Sequence, residues 1–244
     1  MEKTRPKHAI LRYTICDIPF TMRISGFSER EIAKAEGIYG KFGIKRRGAS
    51  GPAYNLKVVN IPHYKCKTET FFMRCVIRKI VQLQIKHNFL LIHAAGIYYK
   101  KRGLIFPAPS SGGKSTISRL SKHKAKIISE DSVIIKKSGP VYLIYGLPLT
   151  KPIFKSVSYF KKAVRLSKIY FPVKSGFVTT ESLSKTKALM MSLREALHLI
   201  PHGFPWRQRY ALQKYAFRFL DKLLDRINFA ELHFAKNRKF LKKI

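Results

Sequence analysis

The chain reads as an α/β protein: a core sheet flanked by helices and carrying a phosphate-binding loop, with a small α+β region of residues 1–67 before it. Three observations predict this. The apolar run Leu104-Ile-Phe106 breaks at Pro107 and Pro109 into small residues and resumes as a helical pattern through Ile117 and Leu120. The loop between them, Ala108-x-x-x-x-Gly113-Lys114-Ser115, has phosphate-loop spacing, although Ala stands at the usual first glycine. Finally, short strand-like runs on either side alternate with segments of helical period.

In the N-terminal region, Ile10, Tyr13, Ile15 and Phe20 mark two short strands joined near Asp17-Ile-Pro19. Ser28-x-x-Glu31 is a capping box and predicts a helix running towards Tyr39. The Gly/Pro-rich stretch from Lys41 to Pro52 is a basic loop holding Lys45, Arg46 and Arg47; it reads equally as a solvated turn or as a phosphate contact. Tyr54 to Ile61 is a further strand.

The second region, 68–244, opens with a helix over Thr68–His87, where Phe71, Phe72, Cys75, Val76, Ile80 and Leu83 recur at mainly helical spacing. The apolar run Phe89 to Gly96 and the alternating Ile97 to Lys101 follow, and Lys100-Lys101-Arg102-Gly103 is a basic hairpin turn. Past the loop helix, Lys126 to Ile135 is a strand interrupted by Glu130-Asp131, and Val141 to Tyr145 is another strand. Residues 150–180 mix Phe154, Tyr159, Phe160, Tyr170 and Phe171 with lysines, and no acid occurs from 132 to 180. Such a stretch suits either RNA stacking or a core-facing aromatic stripe with lysines outside. Helices over Ser182–Leu199 and Trp206–Arg226, a strand over Asn228–Phe234 and a basic tail complete the chain.

Charge dominates the composition: 49 Lys and Arg against 13 acids give a formal +36 over 244 residues. Self-repulsion of that size destabilises a compact state, so a polyanion is the economical partner, with nucleic acid first. A generic basic surface or an anionic lipid surface is the rival. With 45% hydrophobic residues there is ample material for a core. No run approaches the ~18 apolar residues of a membrane span, and no apolar signal core follows Met1-Glu2-Lys3. The unpaired spacing of Cys16, Cys66 and Cys75 suits a reduced, cytoplasmic protein without a metal-thiolate site.

The loop carries the chemistry. Gly112 and Gly113 allow backbone N–H groups to converge on an anion at a helix N-terminus, and Ser110, Ser111 and Thr116 border the same cradle. Lys114 is placed to reach the outer phosphates, and the Ser115 hydroxyl to hold Mg²⁺. A carboxylate on a neighbouring strand is needed to position the metal or accept a proton, and Glu130-Asp131 is the available pair. His93, one strand earlier, is within reach of the same pocket or is a structural core histidine.

In this order, Ile92-His93-Ala-Ala-Gly96, Pro109-Ser-Ser-Gly-Gly-Lys-Ser-Thr116 and Ser129-Glu-Asp-Ser-Val133 resemble the HPr kinase/phosphorylase family of P-loop kinases. The resemblance covers about residues 90–148. It implies that His93 assists near the transferred phosphoryl group and that Lys114 binds the β- and γ-phosphates. Ser115 and Asp131 would hold Mg²⁺, with the base supplied by Glu130 or Asp131. The nucleotide would be ATP or another NTP.

Several positions depart from that family. Thr116 stands where a glutamate commonly follows the Lys-Ser, and Glu130 where an aspartate is usual. No acid lies between Asp131 and Glu181, and the Arg-Gly loop of the phosphorolytic reaction is missing. Within the group, size, motifs and charge together resemble archaeal RNA kinases that phosphorylate a tRNA ribose 2′-hydroxyl at uridine 47. The expected partner is then tRNA or another structured RNA, with no membrane and no stable protein partner. Its contacts are expected at Lys41, Lys45, Arg46, Arg47, Lys100, Lys101, Arg102, Lys151, Lys155, Lys161 and Lys162. A protein serine kinase and a non-catalytic RNA-binding protein with a vestigial nucleotide site are the alternatives.

Overall fold

The computed structural model describes residues 7–33, 54–59, 68–147, 160 and 162–244. The chain divides into two compact units, 1–80 and 81–244. In the first, β1 (Lys7–Ile15) and β2 (Ile18–Phe27) form an antiparallel hairpin, and β3 (Tyr54–Val59) pairs parallel with β2. Cys16 and Asp17 both take positive φ, 53° and 63°, which matches the right-handed twist that a two-residue hairpin loop must follow. Along β2 the side chains of Ile18, Phe20, Met22 and Ile24 are buried at every second position, the strand period. The capping box forms: Ser28 N–H donates to Glu31 Oε2 at 2.9 Å, and Glu31 N–H to Ser28 Oγ at 3.4 Å. The rest of the helix it was expected to start lies outside the described residues.

Helix α1 (Thr68–Leu83) straddles the division between the units. Within the first unit, Val76 and Ile80 of this helix are buried, and the Lys79 ammonium sits 5.8 Å from the centroid of the Tyr54 ring of β3.

The second unit is a mixed α/β layer structure. Its strands are β4 (Phe89–Tyr99), β5 (Arg102–Pro107), β6 (Lys126–Ser129), β7 (Ser132–Ser138), β8 (Val141–Gly146), β9 (Val164–Lys174), β10 (Thr179–Glu181) and β11 (Asn228–Phe234). Hydrogen-bonded order runs β10-β11-β9-β5-β4-β7-β8, and β8 returns to pair with β9, so five strands close on themselves. The 89–101 segment forms one strand, β4, rather than two. Its first half pairs with β7 and its second half with β5 and β6.

Alternation on these strands feeds two apolar layers. Ile105, Ile169 and Phe171 face the layer shared with α3 (Lys185–Leu197) and α4 (Trp206–Leu224). Leu104, Phe106 and Tyr170 face the layer of α2 (Lys114–Ser121) and the 3₁₀ turn Arg238–Lys242. In that turn Phe240 and Leu241 are buried, so the basic tail anchors through its apolar residues.

Strand β9 lies in the stretch that charge and aromatic content left without secondary structure. Val164, Leu166, Ile169, Tyr170 and Phe171 are buried, while Arg165 and Lys174 are exposed. For Tyr170 and Phe171 the core-stripe reading therefore holds. Phe154 and Tyr159 lie outside the described residues. No described helix is long and apolar enough to cross a membrane.

Candidate phosphate loop and histidine–carboxylate cluster

The loop after β5 is shaped by close approach. Gly112 N–H donates to Pro109 O at 2.9 Å, and a Cβ on Gly112 would lie 2.7 Å from Ala108 Cβ. Gly113, at φ 103°, precedes helix α2, and a Cβ there would lie 2.7 Å from Phe234 Cζ. Neither contact leaves room for a side chain. Gly113 offers no side-chain cap and the first turn of α2 has no acid, so the dipole end is left for an external anion.

Lys114 is 6% exposed, and its amine donates to Ala108 O at 2.7 Å and to Pro109 O at 2.9 Å. Both acceptors are uncharged, so among the described residues no carboxylate touches this buried cation. Burial pulls its pKa below the usual lysine value, with the charges of Asp131 and Glu195 working the other way. A buried ammonium facing only carbonyls at a bare helix N-terminus fits a phosphate group. Ser110, Ser111 and Ser115 are exposed and Thr116 half-buried. The Ser115 hydroxyl and the Asp131 carboxylate are hard oxygen donors of the kind Mg²⁺ takes.

The strand interruption at Glu130-Asp131 lies between β6 and β7, where both pair with β4. Ser132 N–H donates to Ser129 Oγ (3.3 Å) across it, and Ala94 N–H to Asp131 O (3.0 Å). This fixes Asp131 beside His93, whose ring nitrogens face two carboxylates. Nε2 lies 3.1 Å from Asp131 Oδ1, and Nδ1 lies 2.8 Å from Glu195 Oε2. One imidazole satisfies both only as the cation, with N–H on each nitrogen. Burial opposes that charge, yet the two hydrogen bonds outweigh it and hold His93 above the ordinary imidazole range. Asp131, by contrast, is lowered: burial pushes it up, but the His93 bond and the charges of His93, Lys114 and His198 prevail. Glu195 is lowered against its burial by bonds from His93 and Arg194, whose Nε stands at 2.8 Å.

The expected residues thus divide. His93, Lys114 and Asp131 fall in one electrostatic neighbourhood, since Lys114 and Asp131 act on each other's pKa. Glu130 is 3% exposed and is not a partner of His93; the half-exposed Asp131 takes that place. Lys100, Lys101, Arg102 and Lys162 are exposed, the first two in the β4–β5 turn and Arg102 at the start of β5. Lys41, Lys45, Arg46, Arg47, Lys151, Lys155 and Lys161 lie outside the described residues.

Sequence reasoning missed Glu195 and its helix neighbour His198, whose ring centroid is 5.1 Å from that of His93. A signal did exist. On α3, Ala188, Ser192, Glu195 and Ala196 are the buried residues, so a carboxylate occupies the inward face of an amphipathic helix.

Glu181, Glu231 and His233 are a second group with ligand atoms within 4.8 Å of one another, but Lys187 Nζ already sits 2.7 Å from Glu231 Oε1.

No family model matches the chain, and no curated protein matches it. Among solved structures, the Hpr(Ser) kinase/phosphatase from Coxiella burnetii aligns at 11% identity over 45% of this chain and 96% of that one. The TM-score is 0.25, too low to establish a shared fold.

Proposed function

We propose that this chain is an ATP-dependent phosphotransferase whose acceptor is a hydroxyl of RNA, a tRNA ribose 2′-OH by the sequence resemblance. The observation that carries the donor half is a buried, carboxylate-free Lys114 within the electrostatic reach of the Asp131–His93–Glu195 cluster. The +36 charge supports a polyanionic acceptor.

Ser115 and Asp131 are the residues that would hold Mg²⁺, which would supply charge neutralisation to the phosphates when bound. Lys114 attracts the phosphates and exchanges its carbonyl contacts for phosphate oxygens. Asp131 remains ionised because its pKa is depressed, and its oxygens orient the attacking hydroxyl and receive its proton. His93, held as a cation by Glu195, fixes the Asp131 rotamer and adds positive charge where the transferred group's negative charge spreads. Little covalent chemistry is required of the protein; position and electrostatics do the catalysis.

The test is incubation with γ-labelled ATP and, separately, total RNA and total protein. Label should enter RNA at a linkage that resists ribonucleases attacking through the 2′-hydroxyl. Label entering protein instead favours a serine kinase. Unchanged incorporation by both Lys114→Ala and Asp131→Asn overturns the mechanism.

A further inference from the structure

Helix α4 carries an exposed face that the phosphotransfer site does not use. Among the described residues, seven large hydrophobic side chains are exposed, and three of them lie on this helix: Trp206 at 72%, Tyr210 at 59% and Phe217 at 46%. At about 100° per residue, these three fall within an arc of about 40°. Lys214, Arg207 and Arg218, also exposed, fall within the next arc of about 40°. The Arg207 guanidinium stands 5.7 Å from the Trp206 ring centroid. The buried side of the helix, including Leu212, Ala216, Phe219 and Leu220, packs into the core and accounts for none of these rings. The acids near the C-terminal end, Asp221 and Asp225, are paired with Lys185 at 2.7 and 2.5 Å.

We infer that this face of α4 binds a single-stranded segment of RNA, with bases stacked on the aromatic arc and phosphates along the cationic one. The inference rests on the reading that the chain acts on RNA. The aromatic arc spans about 16 Å from Trp206 to Phe217 at the helical rise, enough for several successive bases. An aromatic row beside a cation row is the arrangement that holds a single strand without base-specific contacts. Charge complementarity selects this occupant over a second copy, since two chains of +36 would meet cation row to cation row. Helix α4 follows α3, the helix that carries Glu195, by a short connection through Pro201 and Pro205.

Trp206 is the chain's one tryptophan, so intrinsic tryptophan emission reports this face alone. In the full chain, an unstructured oligouridylate should quench that emission saturably, in step with the anisotropy of the same RNA carrying a dye. Tyr210→Ala should weaken binding by about 5- to 150-fold, the range of one lost stacking contact, and Tyr210→Phe should restore it. Anisotropy that saturates while emission is unchanged places the RNA elsewhere and overturns the inference, even where label transfer to RNA succeeds. Emission that shifts with protein concentration alone, or that responds to phosphatidylserine vesicles and not to RNA, overturns it in favour of a second copy or a membrane surface. RNA quenching without label transfer leaves the docking face standing and removes only the kinase reading. No RNA binding at all removes both.

Discussion

Replacing Glu195 by Gln removes one charge from a site where both ring nitrogens of His93 face carboxylates. At 2.8 Å the pair's gross attraction is ~6 kcal/mol at an effective dielectric of ~20. Losing one partner of a buried pair typically costs ~3–5 kcal/mol. The carboxamide oxygen still accepts from Nδ1–H, and the ring is free to deprotonate, so ~2–3 kcal/mol is the expected loss at about pH 5.5.

The sign follows from linkage. His93 has a raised folded pKa, so its contribution is fully present below the unfolded value and fades as pH rises through the folded one. Glu195 has a lowered folded pKa, so its contribution is present above the unfolded value and is lost only on acidification. The penalty of Glu195→Gln must therefore shrink, to below ~1 kcal/mol, once the pH has risen through the folded pKa of His93 and the ring has lost its proton. At ~2–4 °C per kcal/mol, the melting temperature should drop by ~4–12 °C at the lower pH and by less than ~4 °C at the higher. In parallel, the His93 titration in a histidine-selective NMR experiment should move to lower pH, because one of the two carboxylates that raise it is gone. Equal destabilisation at both pH values, or an unmoved His93 titration, refutes the cationic cluster.

Other outcomes follow from the same geometry. Asp131→Asn should lower phosphate incorporation by ~10²–10⁴ if it orients and deprotonates the acceptor, while Glu130→Gln, away from His93, should leave a larger share of turnover; single-turnover labelling separates the two. Gly113→Ala forces a Cβ against Phe234 at φ 103° and should cost ~1–3 kcal/mol together with weaker nucleotide binding, read by thermal melts with and without ATP. RNA affinity should fall by ~10³–10⁵ between ~50 and ~200 mM salt if 6–10 phosphates are contacted; a flat salt dependence would remove RNA from the reading.

Local signals were legible because they depend on neighbours in the chain. The capping box at Ser28 and Glu31, the hairpin turn at Lys100 and Lys101, and the break from β5 into the glycine loop all needed only adjacent residues to be read. Strand β9 was not legible. Its exposed Arg165 and Lys174 and half-buried Lys168 mask an alternation that becomes visible only once β5, β8 and β11 are seen to pair with it.

The candidate site divides the same way. The sequence by itself determined the glycine loop, its lysine and an acidic pair on an interrupted strand, since each is set by local backbone requirements. Only tertiary structure chose Asp131 over Glu130 as the partner of His93, by leaving one half-exposed and burying the other. It alone brought Glu195 to the ring from 102 residues away. A carboxylate on the inner face of a distant helix acquires its role from the cation it meets there, and no spacing within the chain records that meeting.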